Sequence, residues 1–259
     1  MFYALASGHV DTGGLTFRHV LKDIQSLNAE AQAQTYDITA LSVAAYPMLA
    51  AKYQLLTSGA SMGDGYGPII VSAKPMAREE LTGARIAIPG VLTSAYLALR
   101  IYMQPNEPQV EAVYFEDIGK RVLAGDFAAG VLIHEGQLTY AAEGLHLVED
   151  LGVWWKRETR LPLPLGVNAV KRDLPEDLKL ELARILKASI AYSLEHRQEA
   201  LDYALSFGRG LERGKADTFV GMYVNDYTLD LGDSGKQAVQ LFLERGYPDN
   251  PKNKADFIG

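Results

Sequence analysis

Twice along this chain a short strand-like pattern stops at a turn and gives way at once to a helical one, and that alternation limits the fold more than any other feature. Residues 84–90, Ala-Arg-Ile-Ala-Ile-Pro-Gly, alternate and are halted by Pro89-Gly90, after which Thr93-Ser94-Ala95-Tyr96-Leu97-Ala98-Leu99 reads as helix. The rhythm returns at 125–145, where Gly125-Asp126 leads into the apolar run 128–133 and His134-Glu135 opens a polar stretch. Strands alternating with helices predict a parallel sheet assembled from βαβ units. On this reading His134 stands at the carboxyl end of a buried strand.

The rest of the chain fits around that frame. Segments 2–8 and 17–27 read as helical, the second because Phe17, Val20, Ile24 and Leu27 step by three or four. Segment 36–50 predicts a strand ending near Leu41 and a helix opening at Ser42, whose hydroxyl suits a cap. Over 175–207, Leu178, Leu182, Leu186, Ile190 and Leu194 form one apolar stripe, which Glu195-His196-Arg197 divides into a helix pair. Ser234 reads as the cap of a last helix over 237–244, closed by Gly246 and Pro248. Two apolar segments flanked by Pro or Gly, 69–74 and 165–170, are candidate crossings between two lobes. They assign 1–74 with 168–259 to one lobe and 75–167 to the other.

Composition narrows the partners. With 48% hydrophobic and 22% charged residues the chain is an ordinary globular one, and its formal charge of −7 provides no overall positive field for nucleic acid or anionic lipid. An acidic ligand must therefore be held by local donors such as the N–H groups of a helix start. Cysteine is absent, which removes disulfides, thiolate metal sites and thiol nucleophiles. No stretch reaches the ~18 apolar residues of a membrane span, and Met1-Phe2-Tyr3-Ala4-Leu5 lacks the basic start of an export signal, so the expected location is the cytoplasm.

Several motifs carry chemistry on paper. Gly59-Ala60-Ser61-Met62-Gly63 matches the Gly-x-Ser-x-Gly pattern of serine hydrolases, but a second glycine-rich stretch and the strand-like Ile69-Ile70-Val71 follow where a helix is required. A loop that lets backbone pass close to a cleft is the better reading. His134-Glu135 matches the start of a zinc-protease helix, yet Leu138 occupies the place of the second histidine, which leaves no metal site. The remaining histidines form no pair at ligand spacing, and His19 and His196 look like solvated helix positions.

Three features stay as candidates. Thr93 and Ser94 open a helix after a Pro-Gly turn, so N–H groups and two hydroxyls at a strand-end crevice make a carboxylate site, with simple capping true in either case. His134, following a fully apolar strand, is either a general base or a strand-end histidine bonded to backbone. Trp154-Trp155, beside the extended Leu161-Pro162-Leu163-Pro164-Leu165-Gly166, is either core or a wall for an aromatic ligand.

Seven segments then carry a resemblance. In order they are Phe2-Tyr3-Ala4-Leu5, Leu41-Ser42-Val43-Ala44-Ala45-Tyr46, Gly63-Asp64-Gly65-Tyr66-Gly67-Pro68, Val131-Leu132-Ile133-His134-Glu135, Leu151-Gly152-Val153-Trp154-Trp155, Leu161-Pro162-Leu163-Pro164-Leu165-Gly166 and Tyr223-Val224-Asn225. Together they resemble the 1,4-dihydroxy-6-naphthoate synthases of the futalosine route to menaquinone. That resemblance implies an α/β, two-lobed periplasmic-binding-protein-like (type II) fold with the ligand cleft between the lobes. It also implies a lyase that converts cyclic dehypoxanthine futalosine, a substrate carrying a carboxylate, to 1,4-dihydroxy-6-naphthoate without metal or organic cofactor. Carried over by position, His134 is the proton acceptor, Thr93 and Ser94 are substrate contacts, and Ala40, Leu41 and Ser42 form the other contact segment. A homodimer is a possible assembly.

Two departures from the family pattern bear on this. Some relatives carry Lys where this chain has Ala40, so only backbone or Ser42 can serve there. The family also opens with a strand and a Pro-Asn-Asp-Thr-Phe stretch ahead of the segment matching Phe2-Tyr3-Ala4-Leu5, so the first lobe is expected to lack its first strand, roughly fifteen to twenty residues in all with its turn. Two other functions share the architecture: a non-catalytic solute-binding protein, and the chorismate dehydratase of the same pathway.

Overall fold

The computed structural model describes residues 1–134, 136–207 and 213–259; Glu135, singled out beside His134, lies outside the described residues. Helices α1 (Tyr3–Ala6) and α2 (Ile24–Ala31) lead to β1 (Ile38–Ser42), the short α3 (Tyr46–Leu49), β2 (Tyr53–Leu56) and β3 (Ser61–Gly63). Next come β4 (Ile69–Ser72), β5 (Arg85–Ile88), α4 (Ser94–Met103), β6 (Gln109–Ala112), α5 (Ile118–Leu123), β7 (Ala129–Leu132), α6 (Gly136–Thr139) and β8 (His146–Asp150). Helix α7 (Leu151–Thr159) leads to β9 (Leu163–Lys171), and α8 (Glu176–Glu195), α9 (Arg197–Leu205), α10 (Arg213–Tyr223), α11 (Asp226–Leu229), α12 (Gly232–Gly246) and β10 (Phe257–Ile258) complete the chain.

Among the described residues the strands form two five-stranded sheets. The first runs β1-β9-β2-β10 with β3 also on β9, and the second runs β6-β5-β7-β4-β8. Neither is the purely parallel sheet that the alternation predicts. Strands β5, β6 and β7 are parallel as βαβ units require, but β4 is antiparallel to both β7 and β8, and β9 is antiparallel to β1, β2 and β3. Strand–helix alternation does not settle the sense of these two, because a largely buried strand shows the same apolar run whether its neighbours run parallel or antiparallel.

The passages themselves lie at 64–68 and 151–162, so 69–72 pairs in the second sheet and 163–167 in the first, opposite to the boundaries at 74 and 168. The apolar segments taken for crossings lie within strands: 69–72 is buried throughout, and 165–170 belongs to β9, buried from Val167 to Val170 and half-buried at Leu165 and Gly166. The two true passages touch backbone to backbone. A β-carbon on Gly152 would stand 1.9 Å from the Tyr66 carbonyl oxygen, and one on Gly67 would stand 2.8 Å from the Gly152 nitrogen. Only glycine permits that approach, and the Leu151 N–H donates to the Pro68 carbonyl at 3.0 Å across it.

Other expectations change in detail. The helix read over 17–27 begins only at Ile24, because Asp23 is extended and its carboxylate accepts the Ser26 N–H at 3.0 Å. Ser42 ends β1 without capping the turn that follows, and Ser234 lies inside α12, whose first N–H, from Gly232, goes to the Asp230 carboxylate at 2.9 Å. His19 is outside any helix, and His196 is stacked on the Tyr192 ring at 3.8 Å between α8 and α9. That break does divide the two helices as the charged triplet predicts.

One apolar core joins the sheets. Leu41, Tyr46, Ile70, Ile86, Trp155 and Phe242 belong to it, so α4, α7 and α12 are packed between layers from both halves of the chain. Trp154 and Trp155 are core, not a ligand wall. The Trp155 indole N–H donates to the Pro162 carbonyl at 3.1 Å and its ring meets Phe242 edge-on at 5.4 Å. Among the described residues no helix is long and apolar enough to cross a membrane.

Candidate functional site

Strand pairing builds one wall of the site. Ala40 lies opposite Asn168, and Ser42 and Ser61 both lie opposite Gly166, so these small residues share one face of the first sheet. With Gly59 they line a cavity of about 300 Å³. The facing wall comes from the second half of the fold: Thr93 and Ser94 at the start of α4, Ile133 and His134 beyond β7, and Gln137 on α6. Tyr223 at the end of α10 closes one side.

The expected contact residues are thus brought together, with one exception. Leu41 alternates to the other face of β1, where its side chain is fully buried in the core, while Ala40 and Ser42 face the cavity. The Ser42 hydroxyl is already engaged. It accepts from the Asn28 side-chain nitrogen at 2.9 Å, and the Ser42 N–H donates to the Asn28 oxygen at 2.8 Å. Asn28, itself fully buried, also donates to the Leu92 carbonyl at 3.3 Å and so clips β1 to the loop that precedes α4.

At the start of α4 the side-chain donors are engaged within the protein while two backbone donors are not. The Thr93 hydroxyl donates to the Gly90 carbonyl at 2.8 Å and accepts the Tyr96 N–H at 3.2 Å, an N-cap as its sequence position suggests. The Ser94 hydroxyl donates to the Leu165 carbonyl at 2.6 Å and accepts the Ala44 N–H at 3.2 Å. Both hydroxyls are therefore occupied by protein. The N–H groups of Ser94 and Ala95 meet no acceptor among the described residues and stand at the positive end of the helix. No Asp, Glu, Lys or Arg is among the described residues lining the cavity, so no carboxylate repels an anion there; Met1 is also in the lining, and burial lowers the pKa of its α-amino group.

His134 follows β7 by two residues, half-buried, in the left-handed region at φ +56°. A side chain with a β-carbon is disfavoured there by roughly 1–2 kcal/mol, and such positions cluster at sites where geometry is imposed. The turn is held by the Gln137 N–H donating to the His134 carbonyl at 3.2 Å, and the ring meets Phe115 edge-on at 4.8 Å. Gln137 in turn accepts the Tyr223 hydroxyl at 2.7 Å. Burial pushes the Tyr223 phenol well above its ordinary range, which keeps it a neutral donor.

Several of these residues carry little signal in the sequence. Asn28, Gln137 and Tyr223 act through neighbours that are distant along the chain. Asn168 had a faint one, a lone amide within the apolar strand run Val167-Asn168-Ala169-Val170. The loop at Gly59 does border the cavity, as its glycines suggest.

Comparison with known proteins gives the family and the fold. A family model described as menaquinone biosynthesis matches residues 1–248. A 1,4-dihydroxy-6-naphthoate synthase of Thermus thermophilus is 40% identical over 245 residues, 94% of this chain and 88% of that protein. A crystal structure of an Archaeoglobus fulgidus protein superposes with a TM-score of 0.89 at 42% identity, covering 95% of this chain and 91% of the other. A Candida albicans protein described as having the generic periplasmic binding protein fold gives a TM-score of 0.65 at 14% identity, covering 100% and 94%.

Proposed function

The chain belongs to the menaquinone-biosynthesis family, and from that premise we propose that it converts cyclic dehypoxanthine futalosine to 1,4-dihydroxy-6-naphthoate as a carbon–carbon lyase. Its fold is the two-lobed, periplasmic-binding-protein-like one with the cavity between the lobes. One observation carries the reading. Among the side chains of the described residues that line the cavity, the His134 imidazole is the one suited to general-base chemistry, and the start of α4 with its unclaimed N–H groups borders the same space.

The chemistry follows from those parts. The substrate carboxylate docks at the Ser94 and Ala95 N–H groups, and the small floor of Ala40, Ser42, Ser61 and Gly166 receives the flat ring system. His134 removes a proton, the electron pair left behind drives cleavage of a ring carbon–carbon bond, and aromaticity of the product supplies the driving force. Both lobes contribute to the walls, so a bound substrate is covered from both sides.

The test is incubation of the purified chain with cyclic dehypoxanthine futalosine and, separately, with chorismate, followed by chromatography of the products. Release of 1,4-dihydroxy-6-naphthoate from the first alone supports the proposal. Turnover of chorismate instead would make it the dehydratase, and tight binding without turnover of either would make it a solute-binding protein of the same fold.

A further inference from the structure

Asn168 is 3% exposed and sits on the cavity wall, yet its side-chain nitrogen has no hydrogen-bond partner among the described residues. It is a lone amide on the central strand of the first sheet, opposite Ala40, whose methyl group offers it nothing. An unpaired buried donor costs a folded protein on the order of 1–3 kcal/mol, so its presence needs a reason outside the free state. The backbone around it is shaped to keep it. A β-carbon on Gly59 would stand 2.0 Å from the Asn168 nitrogen and 2.8 Å from its Cγ, so any other residue at position 59 would evict the amide.

Resting on the function proposed above, we propose that Asn168 is a substrate-binding residue that donates an amide hydrogen bond to an uncharged oxygen, hydroxyl or carbonyl, at the end of the substrate remote from its carboxylate. The spacing supports this division of labour. The Ser94 hydroxyl, which marks the carboxylate end, is bonded to Leu165, and Asn168 lies three residue steps further along the strand, roughly 10 Å at ~3.3 Å per residue. That is too far for both donors to serve one carboxylate and suits a bicyclic acid lying lengthwise over the small-residue floor. In the free protein the nitrogen is turned toward Gly59, and a half-turn about Cβ–Cγ, a soft and roughly two-fold torsion, presents it to the ligand.

The experiment compares equilibrium binding of 1,4-dihydroxy-6-naphthoate, kept reduced, with that of 2-naphthoate, which has the carboxylate and ring but no hydroxyl. Wild type, Asn168→Leu and Asn168→Ala are measured, together with thermal melts of the ligand-free proteins. The expected result is a five- to tenfold loss of affinity for the dihydroxy acid in both variants, the size of one neutral hydrogen bond, with 2-naphthoate unaffected. The near-isosteric Asn168→Leu is also expected to melt no lower than wild type, which a structural asparagine would not allow. Equal losses for both ligands, no loss for either, or a destabilised Asn168→Leu with unchanged binding overturns the assignment. Should the leucine variant fail to fold, the alanine variant's ligand preference decides alone. A wild-type protein that binds neither naphthoate overturns the functional reading, and this assignment with it, and is told apart by needing no variant.

Discussion

The Ser94 hydroxyl donates a 2.6 Å hydrogen bond to the Leu165 carbonyl, fastening the first turn of α4 to the central strand of the opposite sheet. The same oxygen accepts the Ala44 N–H at 3.2 Å, so one buried side chain ties three segments together at the mouth of the cavity. Asn28 repeats the pattern by joining Ser42 to Leu92. Both residues join chain segments far apart in sequence at the edge where a ligand must sit. The free N–H groups at the start of α4 are thus positioned by contacts from the other lobe.

Replacing Ser94 by Ala leaves the Ala44 N–H and the Leu165 carbonyl without their partner while keeping the α4 N–H groups in the chain. The expected loss of stability is about 1–3 kcal/mol, read as a shift in denaturant midpoint. Product affinity should fall as well, because the helix start is no longer held. Unchanged stability would show that the contact is incidental.

The strand-end position of His134 was legible because the apolar run 128–133 ends so sharply, and the strand-turn-helix at 85–103 because Pro89-Gly90 punctuates it. The sense of pairing was not legible. Largely buried strands present the same apolar run whether their neighbours run parallel or antiparallel, so β4 and β9 gave no sign of entering reversed. Ser42 looked like a cap because a hydroxyl precedes a turn, but Asn28, fourteen residues earlier, claims it. Asn168 escaped for a related reason: a single amide in a strand has no periodicity, and its meaning lies in the cavity beside it.

Substituting His134 by Gly separates conformation from chemistry. Glycine adopts φ +56° without the β-carbon penalty, so the variant should fold with stability equal to or above wild type. Turnover should drop at least ~10²-fold, the usual contribution of a positioned acid or base. Retention of more than about a tenth of the activity would remove His134 from the mechanism.

Asp150 gives a pH dependence with a definite sign. Burial raises its carboxyl above the ordinary value, against the Val153 and Gly152 N–H groups, which lower it by donating to the side chain at 3.0 and 2.8 Å. The unfolded carboxyl titrates near ~3.9, so between there and the higher folded value the native state binds the proton more readily, and stability falls as pH rises through that window. Asp150→Asn keeps an oxygen on both N–H groups and removes the loss. It should be more stable than wild type at about pH 7, with the difference shrinking as pH approaches ~4. A variant less stable at neutral pH would mean that attraction between the carboxylate and the helix start outweighs its desolvation.

The hydroxyl of Tyr223 reaches across from α10 to the Gln137 oxygen at 2.7 Å, and Gln137 holds the turn that presents His134. Burial keeps the phenol protonated, so the link persists throughout the range in which an imidazole titrates. Tyr223→Phe and Gln137→Leu each break it from one side. Each should lower kcat/KM by roughly fivefold to tenfold, the worth of one hydrogen bond expressed through the placement of His134. Because both remove the same interaction, the double variant should be little worse than either single one, a coupling of about 1 kcal/mol in a double-mutant cycle. The pH profile of the residual activity should keep the wild-type shape, since neither change alters the group that titrates. Additive losses would show that the two side chains act independently, and the link between α10 and α6 would then have no part in holding His134 over the substrate.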